Sequence, residues 1–207
     1  MKKTSILIVT AVVFTLAISA SSHAVVLLTK EQALKEMFPD VDQVITETHA
    51  LTAAEIATIK QRLGGSLVHY QEGSKSEAVS EATSYDFYIG VKNNQKVRMA
   101  IIEEQPGKWG PVTFIIAIDI TTGKVNNLAV MSYQEKRGRP IARRNFLDQF
   151  IGKTSLNSIS VRGENGVARD IRAISGATIS SDCTCFSVKK VIAIYEEVFK
   201  KSMLAKL

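Results

Sequence analysis

Four runs rich in β-branched and aromatic residues, at 85–91, 97–102, 112–120 and 125–133, follow one another with only short loops between them. Such runs form strands, and connections this short join neighbouring strands antiparallel. Parallel pairing needs a crossover of a dozen or more residues, usually a helix, and no helical pattern separates these runs. A doubly wound parallel sheet is therefore disfavoured. Lys92-Asn93-Asn94-Gln95 reads as one hairpin turn and Thr121-Thr122-Gly123-Lys124 as another.

Helical patterns flank this block. Thr29-Lys30-Glu31-Gln32 and Thr52-Ala53-Ala54-Glu55 both fit a capping box, each followed by apolar residues at helical spacing. Pro39 closes the first helix and Gly64-Gly65 the second. Residues 67–71 read as a short strand and 72–81 as a Ser-rich loop. Residues 134–140 form a charged loop with Gly138 and Pro140. Phe146, Leu147 and Phe150 suggest a short helix before Gly152, and 155–174 mixes strand and loop. From 181 to about 206 the pattern is that of a long helix, with Phe186, Val188, Val191, Ile192 and Tyr195 on its apolar side. Lys189, Lys190, Glu196 and Glu197 supply its polar side. The expected class is α+β: short N-terminal helices, a central antiparallel sheet and a long C-terminal helix packed on it. The expected division is 1–24 as an export signal, 25–80 as an N-terminal helical segment and 81–207 as the functional domain.

The export signal rests on Lys2 and Lys3, an apolar run from Ile6 to about Ile18, and Ser22-His23-Ala24 as a cleavage site. The run is short for a bilayer span, which needs about 20 residues; the alternative is a retained anchor. Cleavage after Ala24 removes two lysines and lowers the formal charge from +6 to +4. That mild basicity suits docking to an acidic redox partner or an anionic membrane surface. No basic block with interleaved aromatics is present, so nucleic acid is not an expected partner. Cys183 and Cys185 belong to neither a CxxCH nor a CxxC motif, which excludes a covalent c-type haem and argues against zinc or iron–sulfur ligation. His49 and His69 are isolated and make a poor metal site, so no metal is expected.

The chemistry concentrates in Ala173-Ile174-Ser175-Gly176-Ala177-Thr178-Ile179-Ser180-Ser181, a small, hydroxyl-rich stretch just before the long helix. A helix start offers free N–H groups and the positive end of the helix dipole, which suit a phosphate. Gly176 and Ala177 allow close backbone approach, while Ser175, Thr178, Ser180 and Ser181 offer hydroxyls. The plainer alternative is that Ser180 or Ser181 simply caps the helix.

Ser175-Gly176-Ala177-Thr178 with Ser180 resembles the flavinylation motif of the FMN-binding domain family. That family includes the periplasmic FMN-carrying subunits of the sodium-pumping NADH:quinone oxidoreductase and of Rnf complexes, and small exported FMN-binding proteins. Trp109-Gly110-Pro111, the Ile-Asp-Ile-x-x-Gly-Lys-Val pattern at 118–125, Tyr133-Gln134-Glu135 with Gly138, and Phe146 to Lys153 resemble further family segments in the same order. The resemblance implies FMN as cofactor, joined through its phosphate to Thr178, with Ser180 as the second candidate acceptor. It implies a periplasmic FMN transferase as partner, using FAD as donor and Mg2+. One position departs: the residue six before the acceptor, acidic in the family, is Arg172, with Asp170 two residues upstream. Either Asp170 substitutes for it or modification is less efficient.

The implied role is transfer of electrons in a respiratory or extracellular chain, in the periplasm and in contact with redox proteins, a membrane complex or a cytochrome. No Ser-His-Asp arrangement is legible, which agrees with an outside enzyme activating the threonine. Tethering keeps a cofactor from being lost by dilution. Trp109 is the expected aromatic neighbour of the flavin ring, against a half-buried core tryptophan. Glu135 is expected to bond the ribityl chain or ring edge, against a solvated loop acid. Arg137 and Arg139 face the same choice between a phosphate and solvent. Cys183 and Cys185, two apart on a helix, are read as free thiols packed near the flavin, against a disulfide that oxidising surroundings permit but that would strain the first turn. Two further functions stay open: a flavin-dependent reductase and a module holding FMN without a covalent bond.

Overall fold

The computed structural model describes residues 24–135, 139–162 and 170–201, so residues 1–23 of the expected export signal, Arg137 and Gly138 lie outside the described residues. The sheet has six antiparallel strands. Strands β1 (Val25–Val26) and β2 (Gln43–Ala50) form its two edges. Between them lie β6 (Val125–Tyr133), β5 (Pro111–Asp119), β4 (Gln95–Pro106) and β3 (Ser84–Lys92), in that order across the sheet. The last five strands thus form a simple meander. Asn93 and Asn94, at φ +50° and +61°, make the two-residue turn between β3 and β4; a turn of that hand matches the strand twist, and Asn tolerates it.

Both faces of the sheet are covered, which is why β5 is an unbroken apolar run rather than an alternating one. Phe114, Ile116 and Ile118 join the larger core, and Ile115 and Ala117 the smaller one on the opposite face. Helix α1 (Lys30–Met37) carries the chain between the two sheet edges and seals the smaller core with Ala33 and Met37. Helices α2 (Ala53–Arg62) and α4 (Thr178–Ile194) cover the other face and pack against each other. Both expected capping boxes are present, at Thr29/Gln32 and Thr52/Glu55. Helix α3 (Arg144–Leu147) and a following 3-10 turn place Phe146 and Phe150 edge to face in the larger core.

Four expectations are corrected. The 25–80 segment is not only helical: it supplies both edge strands. Residues 67–71 form no strand, because the Gln105 side chain takes the place of a ladder, donating to the Leu67 carbonyl and accepting from the His69 amide. Among the described residues of 155–174 there is no strand either. Finally, α4 is not two-sided. Thirteen of its seventeen residues are buried, Lys190 included, as is Glu197 in the π-helical continuation Tyr195–Lys200. The charge on Lys190 is tolerated because Glu103 of β4 meets it at 2.7 Å. No helix among the described residues is long and apolar enough to cross a membrane.

Candidate functional site

The chain enters α4 through a tight turn. The Ala177 amide donates to the Ile174 carbonyl at 3.0 Å, and Gly176, third in that turn, has φ +71°. A type II turn needs this left-handed conformation, and glycine adopts it without strain. Helix α4 starts at Thr178, three residues earlier than the apolar pattern suggests, with Ala177 as its N-cap and no side-chain cap.

Ser181 therefore does not cap the helix. From inside the first turn its hydroxyl accepts from the Ile174 amide at 3.0 Å and donates to the Ala177 carbonyl at 2.9 Å. It staples the Ser-Gly turn to the helix and is fully buried. Ser180, at 3% exposure, is likewise sealed against the core. Ser175, Gly176 and Thr178 are exposed, and Ala177 is half-buried.

The Thr178 hydroxyl makes no hydrogen bond to any described residue. Around it, the first amides of α4 lack intrahelical partners and give that end roughly half a positive charge. No acidic residue stands in the first turn to offset it.

A second set of residues is joined to this helix end by the 71–75 loop. Gln71 donates from its amide to the Ile179 carbonyl at 2.8 Å. The Ser74 hydroxyl donates to the Gly107 carbonyl at 2.6 Å and the Lys75 amide to the Lys108 carbonyl at 2.7 Å. The loop thus ties the start of α4 to the β4–β5 turn, where Trp109 is half-buried with the Lys75 and Lys108 ammonium groups 5.1 and 5.7 Å from its ring centroid. Glu135 is not a solvated acid. It is buried, and its carboxylate accepts from the Lys108 amide. Glycine is required opposite this segment: a Cβ on Gly107 would lie 2.2 Å from Glu135 Oε1, and one on Gly110 2.2 Å from Gln134 Oε1. Trp109, Gly110 and Glu135 therefore form one interlocked corner. Arg139 is exposed at the start of a 3-10 turn, Arg139–Ala142.

Beside the Ser-Gly turn lies a cleft of roughly 800 Å³, lined in part by Arg143, Asn145, Phe146, Gln149, Arg172 and Ser175. Gln149 holds Arg172 by its backbone in both directions, accepting from its amide at 2.8 Å and donating to its carbonyl at 3.2 Å. Asp170 is engaged by the Lys153 ammonium.

Cys183 and Cys185 are free and buried. Burial pushes the Cys185 thiol up to about 12 and the Cys183 thiol well above its usual value, so neither is a nucleophile at neutral pH. His69 stacks on Phe186 at 5.0 Å and lies 3.6 Å from Asp182, while His49 pairs with Glu55 at 3.2 Å. The buried Lys190–Glu103–Gln105 network carries no sequence signal, because Lys190 of α4 lies 87 residues from Glu103 of β4 and only the fold brings them together.

Residues 107–193 match the family model of the FMN-binding domain. No curated protein matches the chain. The matched segment runs from the β4–β5 turn through almost all of α4, so it contains Trp109, Gly110, Glu135 and the whole Ser175–Ser181 stretch. FMN is the cofactor of such a domain. The residues present fit it: open amides and an exposed hydroxyl for the phosphate, no nearby first-turn acid, and an adjoining cleft of cofactor size.

Proposed function

From the premise that this chain carries an FMN-binding domain over residues 107–193, we propose that it is an exported flavoprotein with FMN joined as a phosphoester to Thr178, and that it relays electrons between redox proteins. The observation that supports Thr178 over the runner-up acceptor is its contrast with the two serines that follow it. Thr178 is exposed at the open end of α4, while Ser180 is buried and Ser181 is fully hydrogen-bonded to backbone. An outside transferase can reach Thr178 but not its runner-up.

The transfer balances as an exchange of phosphoryl bonds. The Thr178 oxygen forms a bond to the FMN-side phosphorus of FAD, the P–O bond to AMP breaks, and AMP leaves. The hydroxyl proton passes to a base of the transferase, since among the described residues no side chain is hydrogen-bonded to Thr178 to take it. Bound FMN supplies reversible electron uptake. The protein's part is to hold the phosphate at a positive helix end, fix the 174–177 turn through Ser181, and keep the Trp109 corner rigid. Asp170 is a poor stand-in for the acidic residue that Arg172 replaces, because Lys153 already holds it.

Export and covalent loading are tested together by co-expressing the chain with a periplasmic FMN transferase and taking the intact mass of periplasmic material. The expected product lacks the leader and gains one FMN less one water, with the gain lost in Thr178→Ala. An unchanged mass, or a gain that survives Thr178→Ala, contradicts the proposal.

A further inference from the structure

We propose that the cleft beside the Ser-Gly turn seats the ring of the FMN carried at Thr178, and that Arg143 and Arg172 there raise its reduction potential. This rests on the attachment reading above and adds which residues tune the cofactor. The cleft touches the attachment turn through Ser175 and holds roughly 800 Å³, within the range of about 300–1,000 Å³ typical of cofactor sites. Phe146, Ile171, Ala173 and Ile174 give it an apolar wall, and Asn145 and Gln149 a polar one.

Its charges favour an anion: Asp170 on its lining is held by Lys153. The neighbouring basic residues are neutralised, Arg144 by Asp148 and Lys153 by Asp170. Arg143 and Arg172 have no carboxylate partner among the described residues, yet both line this one cleft. Gln149 fixes the Arg172 backbone, so that guanidinium springs from an anchored base. The competing cleft across α4, of roughly 750 Å³, carries Arg62, Arg162 and Lys189 beside Glu72 and Asp182, but no residue of the attachment turn lines it.

Two-electron reduction of a flavin with uptake of one proton leaves the ring one unit more negative. Positive groups close by stabilise that form over the oxidised one. In the assay the electrons come from dithionite; in function they come from a donor redox protein.

The test compares FMN-loaded wild type with loaded Arg143→Gln/Arg172→Gln by potentiometric titration, with Lys35→Gln as a control. Lys35 lies on α1, beyond the opposite face of the sheet. The expected result is at least a tenfold loss of preference for the reduced form in the double variant, about 30 mV for a two-electron couple, and none in the control. Equal potentials in loaded wild type and double variant overturn the cleft assignment and leave attachment intact. Where either chain fails to load, free FMN is titrated against both and followed by fluorescence quenching. Tenfold weaker binding by the double variant supports the assignment, and equal binding overturns it.

Discussion

Replacing Lys190 with methionine tests how the helix that carries the site is held to the sheet. Lys190 and Glu103 are 1% and 2% exposed and meet at 2.7 Å. Glu103 Oε1 also accepts from Gln105 Nε2 at 2.7 Å, so the variant leaves a carboxylate deep in the core with one neutral donor. Removing one member of a buried pair costs about 3–5 kcal/mol. For a domain of this size that lowers Tm by roughly 6–20 °C. The loss must depend on pH. Burial raises the Glu103 carboxyl above the usual range, opposed chiefly by the Lys190 charge. A carboxyl raised in the folded state contributes stability that is present below its unfolded pKa and lost as pH rises through the folded value. Taking away Lys190 raises that value further, so the gap between variant and wild type widens from about pH 5 to about pH 8. Lys190→Met/Glu103→Gln removes both charges and keeps an acceptor for Gln105. It should recover most of the loss. Urea melts at both pH values are the assay. A cost below about 1 kcal/mol at either pH, or a gap that fails to widen, refutes the reasoning.

Three further outcomes follow from the site. Ser181→Ala removes both bonds that hold the Ser-Gly turn; it should cost about 1–3 kcal/mol in denaturant melts and speed hydrogen exchange at the Ile174 amide. Gly107→Ala forces a Cβ to 2.2 Å from Glu135 Oε1 and 2.8 Å from the Gly110 carbonyl, and should cost about 1–3 kcal/mol with a shift in Trp109 fluorescence. Cys183 and Cys185, with thiols pushed up by burial, should resist an aromatic disulfide reagent in the native protein at about pH 8 and react together on unfolding.

The meander was legible because β3 to β6 are buried runs separated by recognisable turns. The helices α1 and α2 were legible because their capping boxes are local chemistry. Strand β2 was missed for a physical reason: nearly all of its side chains face solvent, so it shows no apolar alternation and is held through backbone pairing with β3. Residues 67–71 mislead because Leu67 and Val68 are buried as a strand's would be, while the Leu67 carbonyl and the His69 amide bond to the Gln105 side chain, 38 and 36 residues away. At the site, the Ser-Gly-Ala-Thr string marked the right helix end, but not the division of labour within it. Hydroxyls three residues apart look alike in sequence; burial separates the exposed Thr178 from the stapling Ser181. Lys190 and Glu197 read as solvated because nothing local reveals that the fold buries them, with Glu103 facing Lys190.

The most direct measurement of the central claim is fragment-ion mass spectrometry of the tryptic peptide 173–189 from protein loaded in the periplasm. It contains Ser175, Thr178, Ser180 and Ser181 between the cleavage points after Arg172 and Lys189. The account predicts one FMN phosphoryl adduct, with every fragment retaining Thr178 carrying the added mass and fragments ending at Ala177 unmodified. An adduct placed at Ser175 or Ser180, or a peptide with no adduct in coloured protein, would contradict it.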